Sequence, residues 1–291
     1  MAWEYDGLFD QVYNEQGADL LGEYWRNLPS SIRVGQMGYR TKTTKAGPRL
    51  EAEVYPLFGR EQRKRLREAK KNLTPMKQQK LNTERRDRHF VLLAEGNFSE
   101  ADYHLTLTYQ DAPGYDRVKK DVRNFLAKVK RLRVKRGLPE LKYLGTIEGG
   151  EEDGKTRIHV HLLISGGIER AELEALWGKG YANADKLQMN ADGLEAVARY
   201  IMKQQKEGRA GRCRKPLQSR NLKQPRSRTN DTKLSNRKVK QIARGFENEA
   251  KEIMEKAYPG YSFVKCGVYW SDVVDGVYIR CVMRKWEGRK E

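Results

Sequence analysis

The sequence predicts an α+β fold, in which a ferredoxin-like split βαβ unit with an antiparallel sheet occupies the middle of the chain. Polar and apolar residues alternate over 103–109, which indicates a strand. Apolar residues recur at steps of three and four between Asp116 and Arg136, which indicates an amphipathic helix. Two further strand-like runs, 141–147 and 157–164, flank a turn rich in Gly, Glu and Asp. These two runs should pair as an antiparallel hairpin.

The next 40 residues complete the pattern. A helix is expected over 169–177, an extended stretch over 180–188, and a second helix over 193–205. The order is then β-α-β-β-α-β-α, and its first six elements are those of a split βαβ unit.

The charge of the chain is strongly unbalanced. Its 291 residues include 58 Lys and Arg against 39 Asp and Glu, which gives a net charge of +19. Residues 60–88 carry a net charge of +8 and residues 203–244 carry +13, so these two segments hold the whole surplus. Such segments suit a polyanionic partner such as nucleic acid, although solvated surface is the alternative.

These features divide the chain into three parts. Residues 1–95 are expected to form a basic N-terminal extension of uncertain fold, and 96–225 the predicted domain. Residues 226–291 should contain a helix and a short β-hairpin, as a DNA-binding accessory part. Three unpaired cysteines and the lack of a long apolar run or an export signal predict a cytoplasmic protein without membrane contact.

Two histidines are the first candidates for chemistry. His159 and His161 stand two apart in a predicted strand, so both imidazoles leave the same face. Glu148 ends the preceding strand, and pairing through the turn would place its carboxylate beside His159. Two histidines and a carboxylate can hold a divalent ion and leave positions open for phosphate oxygens and water.

The helix that ends the predicted domain supplies a further pair. Tyr200 and Lys203 are three residues apart and therefore share a face of that helix. A phenol beside an ammonium group loses its proton more easily than an isolated phenol.

The order of these motifs resembles the HUH family of rolling-circle replication proteins of phages, plasmids and integrated elements. Leu105–Tyr109 is similar to the first motif of that family, Ile158–Ile164 to the second, and Arg199–Gln204 to the third. The basic run Ser219–Pro225 is similar to a segment that follows the tyrosine helix in relatives. The resemblance covers about residues 103–225.

The resemblance implies a nuclease that nicks and joins single-stranded DNA at a replication origin. Glu148, His159 and His161 would hold Mg²⁺ or Mn²⁺, Tyr200 would attack the strand, and Lys203 would orient it or neutralise charge. A host helicase and a host polymerase would be the protein partners. Four basic side chains are the candidates for contact with DNA phosphates: Arg212, Arg214, Lys215 and Arg220.

Two alternatives stay open at this point. A relaxase or a single-strand transposase shares the histidine pair and the tyrosine; relaxases usually place the tyrosine before the histidines, whereas here it follows them. A nucleic-acid-binding module without catalysis is the alternative from another class, because RNA-binding domains use the same ferredoxin-like layout. That module would not explain His159, His161 and Tyr200 together.

Overall fold

The computed structural model describes residues 38–71, 75–111, 113–148, 158–203, 215–270 and 276–285. These segments contain ten strands and six helices. In chain order they are β1 (Tyr39–Ala46), β2 (Arg49–Pro56), α1 (Arg60–Lys71), α2 (Pro75–Asn97), β3 (Tyr103–Leu107), α3 (Tyr115–Lys135), β4 (Tyr143–Glu148), β5 (His159–Ile164), α4 (Arg170–Ala175), β6 (Ala182–Lys186), α5 (Glu195–Lys203), β7 (Leu217–Gln218), β8 (Arg226–Asn230), α6 (Asn236–Ala257), β9 (Tyr261–Trp270) and β10 (Val277–Lys285).

The chain divides into two compact units. The central unit is Asp87–Gln224, and the terminal unit combines Met1–Arg86 with Pro225–Glu291. Each unit is built around its own five-stranded antiparallel sheet. Every helix in the described segments is too short or too polar to span a lipid bilayer.

The sheet of the central unit has the strand order β6-β3-β5-β4-β7. The helix α3 joins β3 to β4, and β5 lies between those two strands. Likewise α4 joins β5 to β6, and β3 lies between them. A helix-linked strand pair that is split by a third strand defines the ferredoxin-like arrangement, so the predicted fold class is confirmed.

One face of the central sheet is apolar because every second residue of its strands is apolar. The period-three-and-four stripe of α3 packs against this face, together with α4. The buried contacts include Val118, Val122, Phe125 and Val129 of α3, Leu173 of α4, and Leu105, Leu107, Val160 and Leu162 of the sheet.

The opposite face of the central sheet is apolar at one end and polar at the other. At the apolar end, Leu144 and Leu163 pack against α5 and against the part of α2 that begins at Asp87. At the polar end the same face carries Thr106, Thr146 and His161, which are cross-strand partners. We name this end the polar face.

The terminal unit joins the two ends of the chain in one sheet, with the order β8-β1-β2-β10-β9. The sequence suggested separate extensions at 1–95 and 226–291, whereas β2 pairs with β10 along six residue pairs. The helix α6 packs on this sheet against Leu50, Ala52 and Val54. The strand pairing thus links segments about 230 residues apart in sequence.

The strands β1 and β2 were not predicted, and the burial of β2 shows why. All eight of its residues are buried, including the charged Arg49 and Glu51. The Glu51 carboxylate accepts hydrogen bonds from Arg49 and, across the sheet, from Arg280. Because a charged residue usually indicates a solvated position, a buried ion-paired strand is hard to recognise in sequence.

Candidate active site

The strand β5 positions the two histidines of the predicted metal site. His159 and His161 lie on the polar face, with ring centroids 6.3 Å apart. Only 5% of the His161 surface is exposed, whereas His159 is half-buried at the start of the strand. The intervening Val160 is fully buried on the opposite face, as the two-residue period predicts.

Glu148 lies on the neighbouring strand and contacts one of these histidines. It is the cross-strand partner of His159, which agrees with the predicted hairpin. Its carboxylate, however, approaches the other histidine: Oε2 lies 3.3 Å from Nε2 of His161. Diagonal neighbours across an antiparallel pair are within reach of a long side chain, and here the diagonal contact is the one formed.

The second nitrogen of His161 also has a neighbour. Its Nδ1 lies 3.3 Å from Oγ1 of Thr106, on the other side of β5. If Nδ1 carries the proton, it donates to the Thr106 hydroxyl, and the Nε2 lone pair is directed toward Glu148. That tautomer leaves Nε2 able to bind a cation.

The helix α5 brings Tyr200 to the polar face. Its residues Ala198, Ile201 and Met202 are buried in the apolar cluster below, which fixes the rotation of the helix. Tyr200 itself is 48% exposed, and its ring meets that of His161 edge-on at 5.8 Å between centroids. The side chain of Lys203 lies outside the described part of the structure.

A third histidine, outside the motifs recognised in the sequence, lies in the same place. The ring of His104 on β3 stacks on His161 with 5.5 Å between centroids and meets Tyr200 edge-on at 6.3 Å. Its Nε2 is buried without a hydrogen-bond partner among the described residues. The signal was available, because His104 and Thr106 share a face of a strand with period two.

Burial keeps the third histidine neutral. The pKa of His104 is lowered to about 4, first by burial and second by the charge of His161, with a partial offset from Asp185. At neutral pH the His104 ring therefore adds no positive charge to the site.

The donor set suits a divalent ion in part. Adjacent ligands of an octahedral ion with bonds of about 2.1 Å lie roughly 3 Å apart, and the distance between His161 and Glu148 is close to that value. Within the described segments, however, no group of three or more His, Cys, Asp or Glu side chains is arranged to hold a metal ion. The metal therefore stays a prediction.

The predicted phosphate contacts lie in a different part of the central unit. Lys215 and Arg220 are exposed on either side of β7. Ser219, next to Arg220, is tied by its backbone to Tyr143, which is roughly 17 Å from Glu148 along β4. Arg212 and Arg214 lie outside the described residues.

Comparison with known proteins gives one match. No curated protein and no solved structure matches the chain. Residues 102–205 match the sequence model of a family of replication-associated proteins, the ORF2 type. This stretch contains Glu148, His159, His161 and Tyr200, and the match supports a role in the initiation of DNA replication.

Proposed function

We propose that the protein initiates rolling-circle replication by nicking one DNA strand at an origin, with Tyr200 as the nucleophile. One observation carries the proposal: Glu148, His161 and Tyr200 come from three separate elements and meet on the polar face. A module that only binds nucleic acid would have no need of this combination.

The proposed reaction exchanges one phosphodiester for another. The phenol oxygen of Tyr200 forms a bond to the phosphorus and loses its proton. The bond from phosphorus to the 3′ oxygen breaks, and that oxygen takes up a proton. The 5′ side of the nick stays on Tyr200, and the free 3′-OH is available to a host polymerase as a primer.

The exchange is reversible because the phosphotyrosine keeps the energy of the broken linkage. A later 3′-OH can attack it and reseal the strand without ATP. Position 204 is Gln, and no second tyrosine follows within a turn of the described helix, so one tyrosine would serve each cycle.

The neighbours of Tyr200 would orient the nucleophile. The His161 edge and the His104 ring bound its phenol on the side of the sheet, while the exposed side of the ring stays open to DNA. His159, His161 and Glu148 would hold Mg²⁺ or Mn²⁺, which would supply positive charge to the phosphate oxygens. Lys203 would contribute a second positive charge.

Covalent capture of labelled DNA tests the proposal. Single-stranded oligonucleotides that tile the DNA around the gene are labelled at the 3′ end and incubated with the protein and Mn²⁺. We expect wild-type protein to carry label through denaturing electrophoresis, and chelator to abolish the adduct. Tyr200→Phe should keep its fold and form no adduct.

A matched control is Tyr143→Phe, because this ring packs against the apolar face on the other side of the sheet. It should form the adduct as wild type does. An adduct that survives in Tyr200→Phe would assign the attack to another tyrosine. Cleavage by wild type without any adduct would make water the nucleophile and would contradict the rolling-circle mechanism.

A further inference from the structure

One exposed aromatic side chain near the polar face has no role in the proposed chemistry. Within the described segments, the exposed large apolar side chains are Val134, Tyr181 and Tyr200. Tyr181 is the more exposed of the two tyrosines, at 68%. An aromatic ring that stays in water is a candidate for contact with a ligand.

The backbone of Tyr181 is held firmly at the edge of the sheet. Its carbonyl oxygen accepts hydrogen bonds from the backbone N–H of Thr108, at 2.8 Å, and from the Thr108 hydroxyl, at 3.1 Å. The N–H of Gln110 donates to the carbonyl of Lys179. These bonds continue the pairing of β3 with β6 beyond the last partners, Leu107 and Ala182.

Gly180 makes this close approach possible. A Cβ atom at this position would lie 2.6 Å from the carbonyl oxygen of Thr108 and 2.8 Å from Cα of Tyr109. Any other residue would push the segment away from β3. The ring of Tyr181 is thus exposed on a fixed backbone, and its binding would cost little conformational entropy.

The register places Tyr181 next to the candidate active site. Side chains alternate along a strand, so Tyr181 leaves the same face as Asn183, whose partner Thr106 lies on the polar face. Continuing the pairing of β3 with β5 sets Thr108 beside His159. Tyr181 is therefore two strand spacings, or roughly 10 Å, from His159 along the same row.

We propose that Tyr181 is a stacking platform for one unpaired base next to the phosphate that Tyr200 attacks. The inference rests on the proposed function, since it requires a single strand at the polar face. Every base has a π face, so an aromatic ring holds a base with little sequence preference. A base inside a duplex is already stacked, and its face is closed to the ring.

Binding of a non-cleavable complex tests the inference. In the Tyr200→Phe background and at constant salt, Tyr181→Ala should weaken single-strand binding roughly 5- to 150-fold. Tyr181→Phe keeps the ring and should restore affinity to within about twofold of the parent. Val134→Ala is the matched control, because Val134 is similarly exposed, on a helix that covers the other face, and should leave affinity unchanged.

A position-resolved signal separates stacking from general affinity. With 2-aminopurine placed at successive positions around the nick, fluorescence should be quenched at one position in the parent and in Tyr181→Phe. Tyr181→Ala should lose that quenching. Equal affinity and equal quenching in the parent and Tyr181→Ala would overturn the inference.

The adduct assay with Tyr200 intact keeps the two proposals apart. If wild type forms the adduct and Tyr181→Ala has unchanged DNA binding, nicking stands and the stacking role is wrong. If Tyr181→Phe binds DNA but forms no adduct, its hydroxyl is needed for chemistry, and the stacking role is again wrong. Absence of any adduct in wild type would instead contradict the proposed function.

Discussion

Stability should depend on pH through His104, and the sign follows from its pKa. In the unfolded chain an imidazole titrates near its ordinary value of 6.5, whereas folding lowers the pKa of His104 to about 4. As the pH falls below 6.5, the unfolded chain takes up a proton that the folded protein refuses. The free energy of unfolding therefore decreases between these two values and levels off below the lower one.

The size of the effect follows from the difference between the two pKa values. At about 1.4 kcal/mol for each unit, His104 accounts for a loss of about 3 kcal/mol between pH 6.5 and pH 4. His104→Phe keeps a ring against His161 and removes both the titration and the buried Nε2 that lacks a partner among the described residues. Near neutral pH the variant should be about as stable as wild type.

Native-state hydrogen exchange of the central-sheet amides, measured in chelator as the pH is lowered, reports the stability of this unit. The other histidines titrate in both proteins, so the difference between wild type and His104→Phe isolates His104. We expect the variant to become the more stable protein as the pH falls. A difference that stays constant with pH would show that burial between its neighbours does not set the pKa of His104.

Two further predictions test the sheet and the basic tail. In Gly145→Ala the new Cβ would lie 1.9 Å from the carbonyl oxygen of His161, so urea unfolding should show a loss of about 1–3 kcal/mol or more, whereas Gly114→Ala, which meets no atom within 4 Å, should change little. Equal stability of the two variants would contradict the close pairing of β4 and β5. Replacing Lys215 and Arg220 by Gln should lower the slope of log affinity against log salt by about two, and an unchanged slope would make them ordinary surface charges.

Sequence periodicity was sufficient for the core of the central unit. The strand at 103–109, the helix that follows it and the hairpin of β4 and β5 all have clear two-residue or three-to-four-residue patterns. These patterns reflect which face of an element is buried, and that property is local. The positions of His159, His161 and Tyr200 on one polar face followed from the same argument.

Patterns with buried charge were not sufficient. The strands β1 and β2 contain Arg, Lys and Glu at positions that a local reading assigns to a solvated segment. Their burial depends on partners from the other end of the chain, such as Arg280 for Glu51. No window of sequence contains both residues, so no local pattern reveals the pair.

The sequence by itself therefore determined the order of elements in the central unit and the set of polar residues on one face of its sheet, because a fixed backbone period decides both. Tertiary structure decided which of these side chains meet. Glu148 reaches His161 rather than its direct partner His159, since a long side chain can extend diagonally across a sheet. It also brought His104 against His161 and placed both ends of the chain in one sheet, because these contacts join residues far apart in sequence.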